Sequence, residues 1–279
     1  MLEGGLTNVN HKVETEDGAY VVRRWSEQSG LLSIDRDNEY ENTLRAAAVG
    51  VGAPVVAYLP EHCTMVLGYV SGQTLDPEAI RRGDRLERIA TACRDLHGAE
   101  RFRDDFDMFA IQPRYLALCR ERGFRIPEDY GRFEPHRDAI ADAMTARDEG
   151  TVPCHNDLLA ENFIDAGDRM FLIDYEYSGN NDPCFELGNL WSESNLAPAQ
   201  LEELIGAYYG RRLRHKVARA RLWGLMSKYG WTLWASIQDG VSEIDFDFWE
   251  WGMEKYVRAV AEFDGPGFDR LLEDVQRPD

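Results

Sequence analysis

Hydrophobic residues recur along this chain in two rhythms. Near the start the pattern is short and β-rich. Tyr20-Val21-Val22 and Met65-Val66-Leu67 are runs of β-branched, aromatic and long apolar residues bounded by polar ones, and they predict strands. Between them, Glu39 to Val49 spaces its apolar residues at helical intervals. The strip Gly68-Tyr69-Val70-Ser71-Gly72 carries a glycine at each end, as suits a chain that turns between two lobes. From about Asp84 the rhythm becomes helical, as in Leu86-Ile89-Ala90-Cys93-Leu96. A strand-rich patch at Phe163-Ile164 and Met170-Phe171-Leu172-Ile173 interrupts it, and two long helices are predicted afterwards, roughly Val217 to Gln238 and Phe246 to Phe263. The stretch 101–150 carries little signal. The pattern predicts a mixed α/β (α+β) chain, with a small sheet-rich lobe over 1–72, a larger helical lobe over 73–279 and a ligand cleft between them.

Composition narrows the chemistry. The 279 residues hold 31 Lys plus Arg against 50 Asp plus Glu, a formal charge of −19. Such a charge argues against a reader of nucleic-acid backbones and is compatible with a cationic small molecule. The basic run Arg211 to Lys216 is short and reads as a solvated connection between helices. The first thirty residues lack a basic start followed by an apolar core, and the longest weakly polar run, Ala46 to Leu59, is broken by Pro54 and two glycines. The five cysteines never form Cys-x-x-Cys, so reduced thiols in a cytoplasmic protein are expected. His97 and the other histidines outside the 154–164 segment read as structural.

The informative segment is Cys154-His155-Asn156-Asp157-Leu158-Leu159-Ala160-Glu161-Asn162-Phe163-Ile164. His-x-Asp followed five residues later by Asn has the spacing of a kinase catalytic loop, and a second strand then leads to Asp174-Tyr175-Glu176. Phosphoryl transfer needs an acceptor hydroxyl held in line and a magnesium ion to absorb charge on the phosphate. In that arrangement Asp157 takes or orients the hydroxyl proton, Asn162 and Asp174 offer hard oxygens to Mg2+, and His155 braces the loop.

Together, His155 to Asn162, Ile173-Asp174-Tyr175-Glu176-Tyr177 and Asn181 to Asn189 resemble the choline/ethanolamine kinase family, within the wider aminoglycoside-phosphotransferase-like group. The resemblance implies a two-lobed protein-kinase-like fold with ATP and Mg2+ as cofactors. Gly4-Gly5-Leu6-Thr7-Asn8 resembles the family's phosphate-covering turn, Arg23 in Tyr20-Val21-Val22-Arg23 the phosphate-binding cation, and Glu39 the helix acid that pairs with it. Backbone around Gly68 and Val70 would meet adenine. Only Met1-Leu2-Glu3 precede the turn, where relatives carry a strand, so the turn is expected to be anchored on one side. Many relatives carry Asp where Glu186 stands, and the longer carboxylate is expected to brace the loop less tightly.

On the acceptor side, Lys228 to Trp234 and Ile244 to Trp251 look like choline-pocket segments. A quaternary ammonium has no N–H to donate and is held by aromatic faces and nearby negative charge. Trp231, Trp234, Phe246 and Trp251 would form the cage, with Tyr177 and Glu176 contributing from the catalytic side and Glu176 also supporting the metal. Phe248 or Trp249 would replace Phe246 if the register slips. The expected reaction is transfer of the ATP γ-phosphate to choline. Ethanolamine, an aminoglycoside met by Asp239, Glu243, Asp245, Asp247 and Glu250, and a non-catalytic binding protein of the same fold are the alternatives.

Overall fold

The computed structural model describes residue 2 and residues 5–279, with the side chains of 27–29 left aside; Gly4 of the predicted turn lies outside the described residues. In chain order the first elements are β1 (Asn8–Thr15), β2 (Gly18–Trp25), α1 (Arg36–Ala48), β3 (Val55–Leu59), β4 (Thr64–Gly68), β5 (Gln73–Thr74), α2 (Pro77–Ile80), α3 (Arg85–His97), α4 (Met108–Arg122) and α5 (Glu134–Ala146). They are followed by β6 (Val152–Cys154), β7 (Phe163–Asp165), β8 (Met170–Leu172), β9 (Gly179–Asn181), α6 (Pro183–Glu193), α7 (Pro198–Tyr209), α8 (Arg214–Val241), α9 (Phe248–Phe263) and α10 (Phe268–Asp274). Contacts divide them into two compact units, Met1–Phe106 with Thr151–Glu186, and Asp107–Gly150 with Leu187–Asp279.

The first unit is built on an antiparallel sheet in the order β1-β2-β4-β3. Its apolar face gathers Ala53, Met65 and Leu67, with Val21, Trp25, Tyr40 and Tyr58 packed against them. Helix α1 starts where the Asp35 carboxylate accepts the Asn38 N–H at 3.0 Å, a side-chain cap for an otherwise orphaned donor. The buried positions of α1 are mostly polar (Asn38, Glu39, Asn42 and Thr43), so this helix is held by hydrogen bonds as much as by burial. Asn38 and Asn42 both donate to the Ser178 carbonyl, at 2.8 and 3.2 Å, which pins α1 to the segment that follows Asp174. Helix α3 buries Leu86, Ile89, Ala90, Cys93 and Leu96 as its spacing predicts. The β7–β8 hairpin, in register Phe163↔Leu172, and the β6–β9 pair frame the 154–174 segment.

The second unit is organised around α8, whose 28 residues extend about 42 Å at 1.5 Å per residue. From Leu222 to Gln238 every residue of this helix is buried. Gly252 lets α9 lie close on it, because a Cβ there would meet the Ala235 Cβ at 2.5 Å. Tyr130 and Tyr229 stack at 4.1 Å and exchange hydrogen bonds, each hydroxyl donating to the other residue's carbonyl at 2.6 and 2.7 Å. No helix among the described residues is long and apolar enough to cross a membrane, and the five cysteines are free thiols.

Several elements differ from the pattern. β1, with the sequence Asn-Val-Asn-His-Lys-Val-Glu-Thr, is an edge strand with a half-solvated polar face, and β6 and β9 are three-residue strands. α9 begins at Phe248 rather than Phe246, because the Asp247 carboxylate caps it by accepting the Glu250 N–H at 2.8 Å. The basic run is only partly a connection. Arg214-His215-Lys216 forms the first turn of α8, with His215 buried and Lys216 paired with Glu149.

Candidate active site

The loop between β6 and β7 is fixed from below by buried hydrogen bonds. His155 is fully buried; its Nε2 lies 2.8 Å from the Ile173 carbonyl and its Nδ1 accepts the Asp157 N–H at 3.3 Å. Only the neutral imidazole with its proton on Nε2 satisfies both bonds. Burial pushes the ring below its usual value, which favours that form. His155 is thus a brace for Asp157, as its position in the strip suggests.

Asn156, which the sequence reading assigned no role, is the knot of the loop. Its backbone is left-handed at φ 67°, a conformation that Asn tolerates better than most residues. Its amide donates to the carbonyls of Tyr177 at 3.0 Å and Gly179 at 3.2 Å, and its Oδ1 accepts from Asn181 at 2.9 Å. Glu186 grips the loop directly. It is fully buried, and its two carboxylate oxygens accept the His155 and Asn156 N–H groups at 2.9 and 2.7 Å. Asn162 donates its amide to the Asp157 carbonyl at 2.8 Å, so its Oδ1 takes part in no hydrogen bond among the described residues. Asp174 follows β8 in a left-handed conformation, φ 72°.

A second set of predicted residues converges on Arg23. The guanidinium, 4% exposed, lies 3.2 Å from Glu39, 3.4 Å from Glu176 and in direct contact with Asp174. Glu176 in turn accepts from Thr7 at 2.7 Å and from Asn8 at 2.9 Å, so the glycine turn is tied to the catalytic strip. Gly5 is required there: a Cβ would stand 2.4 Å from the Asn8 carbonyl oxygen. Further toward the N-terminus, the Leu2 N–H donates to the Asn10 carbonyl at 2.8 Å. Arg36 was not singled out from the sequence, yet it bridges Glu39 at 2.6 Å and Glu176 at 3.3 Å. Its i,i+3 spacing to Glu39 on the first turn of α1 is the signal that could have found it.

Two arginines face three carboxylates in this cluster, and the electrostatics follow. Burial opposes the charge on Arg23, but Asp174, Glu39 and Glu176 outweigh it and keep the group cationic. Burial likewise opposes ionisation of Asp174, and Arg23 overcomes it, holding that carboxyl below its usual range. Glu176 goes the other way: burial, with Asp174 beside it, pushes it up to about 7. An ionised Asp174 and the unbonded Oδ1 of Asn162 are the hard oxygen donors that Mg2+ prefers, so these residues fit that ion. Of the two adenine positions, the Gly68 N–H is already committed to the Pro54 carbonyl at 2.7 Å, while Val70 makes no hydrogen bond among the described residues.

In the second unit three of the predicted aromatics, Trp234, Phe246 and Trp251, also meet. The Trp234 and Trp251 rings pack edge-on at 5.6 Å, and Phe246 lies 6.5 Å from Trp251. Phe248 joins them, 5.9 Å from Trp234 and 4.9 Å from Phe246, rather than replacing Phe246. Trp231 lies one turn earlier on α8 and, like Trp234, is buried. Lys255 places its Nζ 3.9 Å above the Trp251 ring and pairs with Glu193. Trp249 is engaged elsewhere, under the Arg125 guanidinium at 4.4 Å. The acidic platform is partly spent: Asp239 forms a two-pronged pair with Arg125 and Asp247 caps α9.

A cation held among acids on a sheet, beside a braced His-x-Asp loop and a second acidic turn, defines a protein-kinase-like phosphotransferase. Comparison with known proteins places it more closely. The family model for choline/ethanolamine kinase matches residues 1–201, and the chain belongs to that family. Ethanolamine kinase 2 of Mus musculus is 29% identical over 267 residues, covering 85% of this chain and 68% of that protein. The crystal structure of a choline/ethanolamine kinase family protein from Mesorhizobium loti matches with a TM-score of 0.86 at 32% identity, covering 98% of this chain and 90% of that one. The choline kinase LicA from Streptococcus pneumoniae matches with a TM-score of 0.77 at 27% identity, covering 94% and 91%. The protein is therefore an ATP-dependent kinase of the amino-alcohol class, a phosphotransferase with an alcohol acceptor.

Proposed function

We propose that the acceptor is choline and the product phosphocholine. The observation that carries this reading is the cluster of Trp234, Trp251, Phe246 and Phe248, in which one tryptophan face already holds the ammonium of Lys255. Cation–π contacts are worth about 0.5–2 kcal/mol each and need no N–H from the cation, which suits a quaternary ammonium. In this reading Trp231, Trp234, Phe246 and Trp251 receive the trimethylammonium group.

Asp157 accepts or orients the choline hydroxyl proton, held at its backbone by His155 and at its carbonyl by Asn162. Arg23 grips phosphate oxygens and Glu39 keeps that guanidinium in place. Gly5, Thr7 and Asn8 cover the phosphates, and backbone near Gly68 and Val70 meets adenine. Asn162 and Asp174, with Glu176, would hold Mg2+, which supplies positive charge to the phosphate oxygens. Most of the rate gain then comes from positioning and charge. The same assignment makes 1–72 the nucleotide lobe and 73–279 the catalytic and acceptor lobe, in a cytoplasmic enzyme. The similarity to ethanolamine kinase 2 favours ethanolamine as the second reading; a primary ammonium has three donors and would look to Glu176 more than to the tryptophans.

The test is ADP release by the purified protein with ATP and Mg2+ across choline, ethanolamine and an aminoglycoside panel, beside Asp157→Asn. The expected result is the highest kcat/KM for choline and a loss of about 10²–10⁴-fold in kcat in the folded variant. Turnover led by ethanolamine transfers the assignment to the second reading, and undiminished turnover in Asp157→Asn overturns the role of that carboxylate.

A further inference from the structure

Helix α8 buries a lysine in the wall of a cavity that phosphoryl transfer does not use. The cavity, about 250 Å³, lies wholly within the second unit and is lined by Trp191, Asn195, Leu196, Lys228, Arg258 and Glu262 among others. Its volume suits a small molecule rather than a single water. Lys228 is 1% exposed. Its Nζ donates to Glu262 Oε1 at 3.1 Å and stands 4.0 Å above the Trp191 ring.

An ammonium carries three N–H donors, and only one finds an acceptor among the described residues. A buried charge left short of partners is costly. Burial pushes this amine down to about 8 against the pull of Glu262, and Arg258 lowers it further.

The second cation at the cavity has donors to spare. Arg258 gives one N–H to the Ser192 carbonyl at 2.7 Å, and its other terminal nitrogen is 3.8 Å from the largely exposed Glu254. Of its five N–H groups, one has a hydrogen bond among the described residues. The acid in the wall is already matched: Glu262 is bridged by Lys228 at 3.1 Å and by Arg221 at 3.0 Å. Glu193, behind it, is paired with Lys255. The cavity therefore keeps a positive surplus inside a chain whose formal charge is −19. Trp191, Leu196 and Ala261 add an apolar wall for a short carbon skeleton.

We propose that this cavity is a binding site for a small organic oxyanion, a carboxylate or a phosphomonoester, held between Lys228 Nζ and the Arg258 guanidinium. The anion supplies the acceptors that the buried ammonium lacks, and the guanidinium grips it from the more open side.

Anomalous diffraction from crystals soaked in selenate or in 4-bromobenzoate tests this, beside solution titration of the same two probes. The proteins are wild type, Arg258→Leu and Lys228→Met, with circular dichroism confirming each fold. The expected result is a selenium or bromine peak at the cavity in wild type, absent in both variants, with solution affinity at least tenfold weaker in each. ADP-release activity of Arg258→Leu should stay within about twofold of wild type, since neither cation belongs to the phosphotransfer machinery. Selenate alone binding identifies the ligand class as phosphomonoester, and 4-bromobenzoate alone as carboxylate. No peak at the cavity, a peak that persists in both variants, or a peak without Arg258-dependent binding in solution overturns the proposal.

Discussion

The two units handle a buried cation in opposite ways. In the first, Arg23 is surrounded by Glu39, Asp174 and Glu176, and every neighbour is a carboxyl group. In the second, Lys255 has one carboxylate, Glu193, and on its other side the face of Trp251. In the proposed reading, phosphates compete with these carboxylates for the same guanidinium, which calls for a densely charged ligand. The second suits a bulky cation with little hydrogen-bonding capacity. The two units thus surround their buried cations differently, with carboxyl groups alone in one and with a carboxylate and an indole face in the other.

Breaking the first arrangement should have the largest effect. Arg23→Met removes the cation that contacts Glu39, Asp174 and Glu176 and leaves Arg36 alone to hold Glu39 and Glu176, and a loss of about 3–5 kcal/mol of stability in urea titration is expected. A variant as stable as wild type would mean that the cluster is not held together by that charge. Glu186→Ala comes next. It leaves the buried N–H groups of His155 and Asn156 without their acceptor, at about 1–3 kcal/mol each, with kcat falling as the loop loosens. Glu186→Asp tests reach: a shorter carboxylate that kept full activity would show that the loop adjusts to either length.

The acid at the junction of the cluster and the glycine turn gives a pH signature. Glu176 is raised to about 7 from an ordinary value of 4.5, so the folded, ligand-free protein keeps a proton there that the unfolded chain releases. Its contribution to stability is complete below pH 4.5 and is lost as the pH rises through about 7, with a slope of at most about 1.4 kcal/mol per pH unit. Glu176→Gln should remove that component from a pH series of urea titrations; an unchanged series would place the proton elsewhere. The smallest effect is expected in the second unit. Trp251→Leu should raise KM for choline by about 2–30-fold, equivalent to 0.5–2 kcal/mol, and leave kcat nearly unchanged. An equal change in kcat would move Trp251 from ground-state binding into the transition state.

The polar chemistry was far more legible in the sequence than the aromatic chemistry. Arg23 and Glu39 pair as the family resemblance implied, and the other residues singled out on polar grounds, Thr7, Asn8, Asp174 and Glu176, converge on the same cluster. Arg36 escaped because an arginine on the first turn of a helix is indistinguishable, by pattern, from a solvated one. Asn156 escaped because its role depends on a left-handed backbone and on the carbonyls of Tyr177 and Gly179, more than twenty residues away in sequence. The aromatics were ambiguous for a physical reason: a tryptophan in a core and one in a cation site bury the same surface. Trp231 and Trp234 are buried while Phe246 is 40% exposed, and that difference is invisible in the sequence. Among the elements, the periodic helices α3, α8 and α9 were found, whereas α4, with Gln112 buried and Pro113 inside it, hid in the stretch of weak signal.

The most direct test of the account is a competition in one vessel. Equal choline and ethanolamine compete for limiting ATP with Mg2+, and ³¹P NMR measures the two phosphomonoesters for wild type and Trp251→Leu. The account predicts phosphocholine in excess with wild type, and a product ratio shifted toward phosphoethanolamine when the indole is removed. Phosphoethanolamine in excess with wild type, or a ratio indifferent to Trp251, would contradict it.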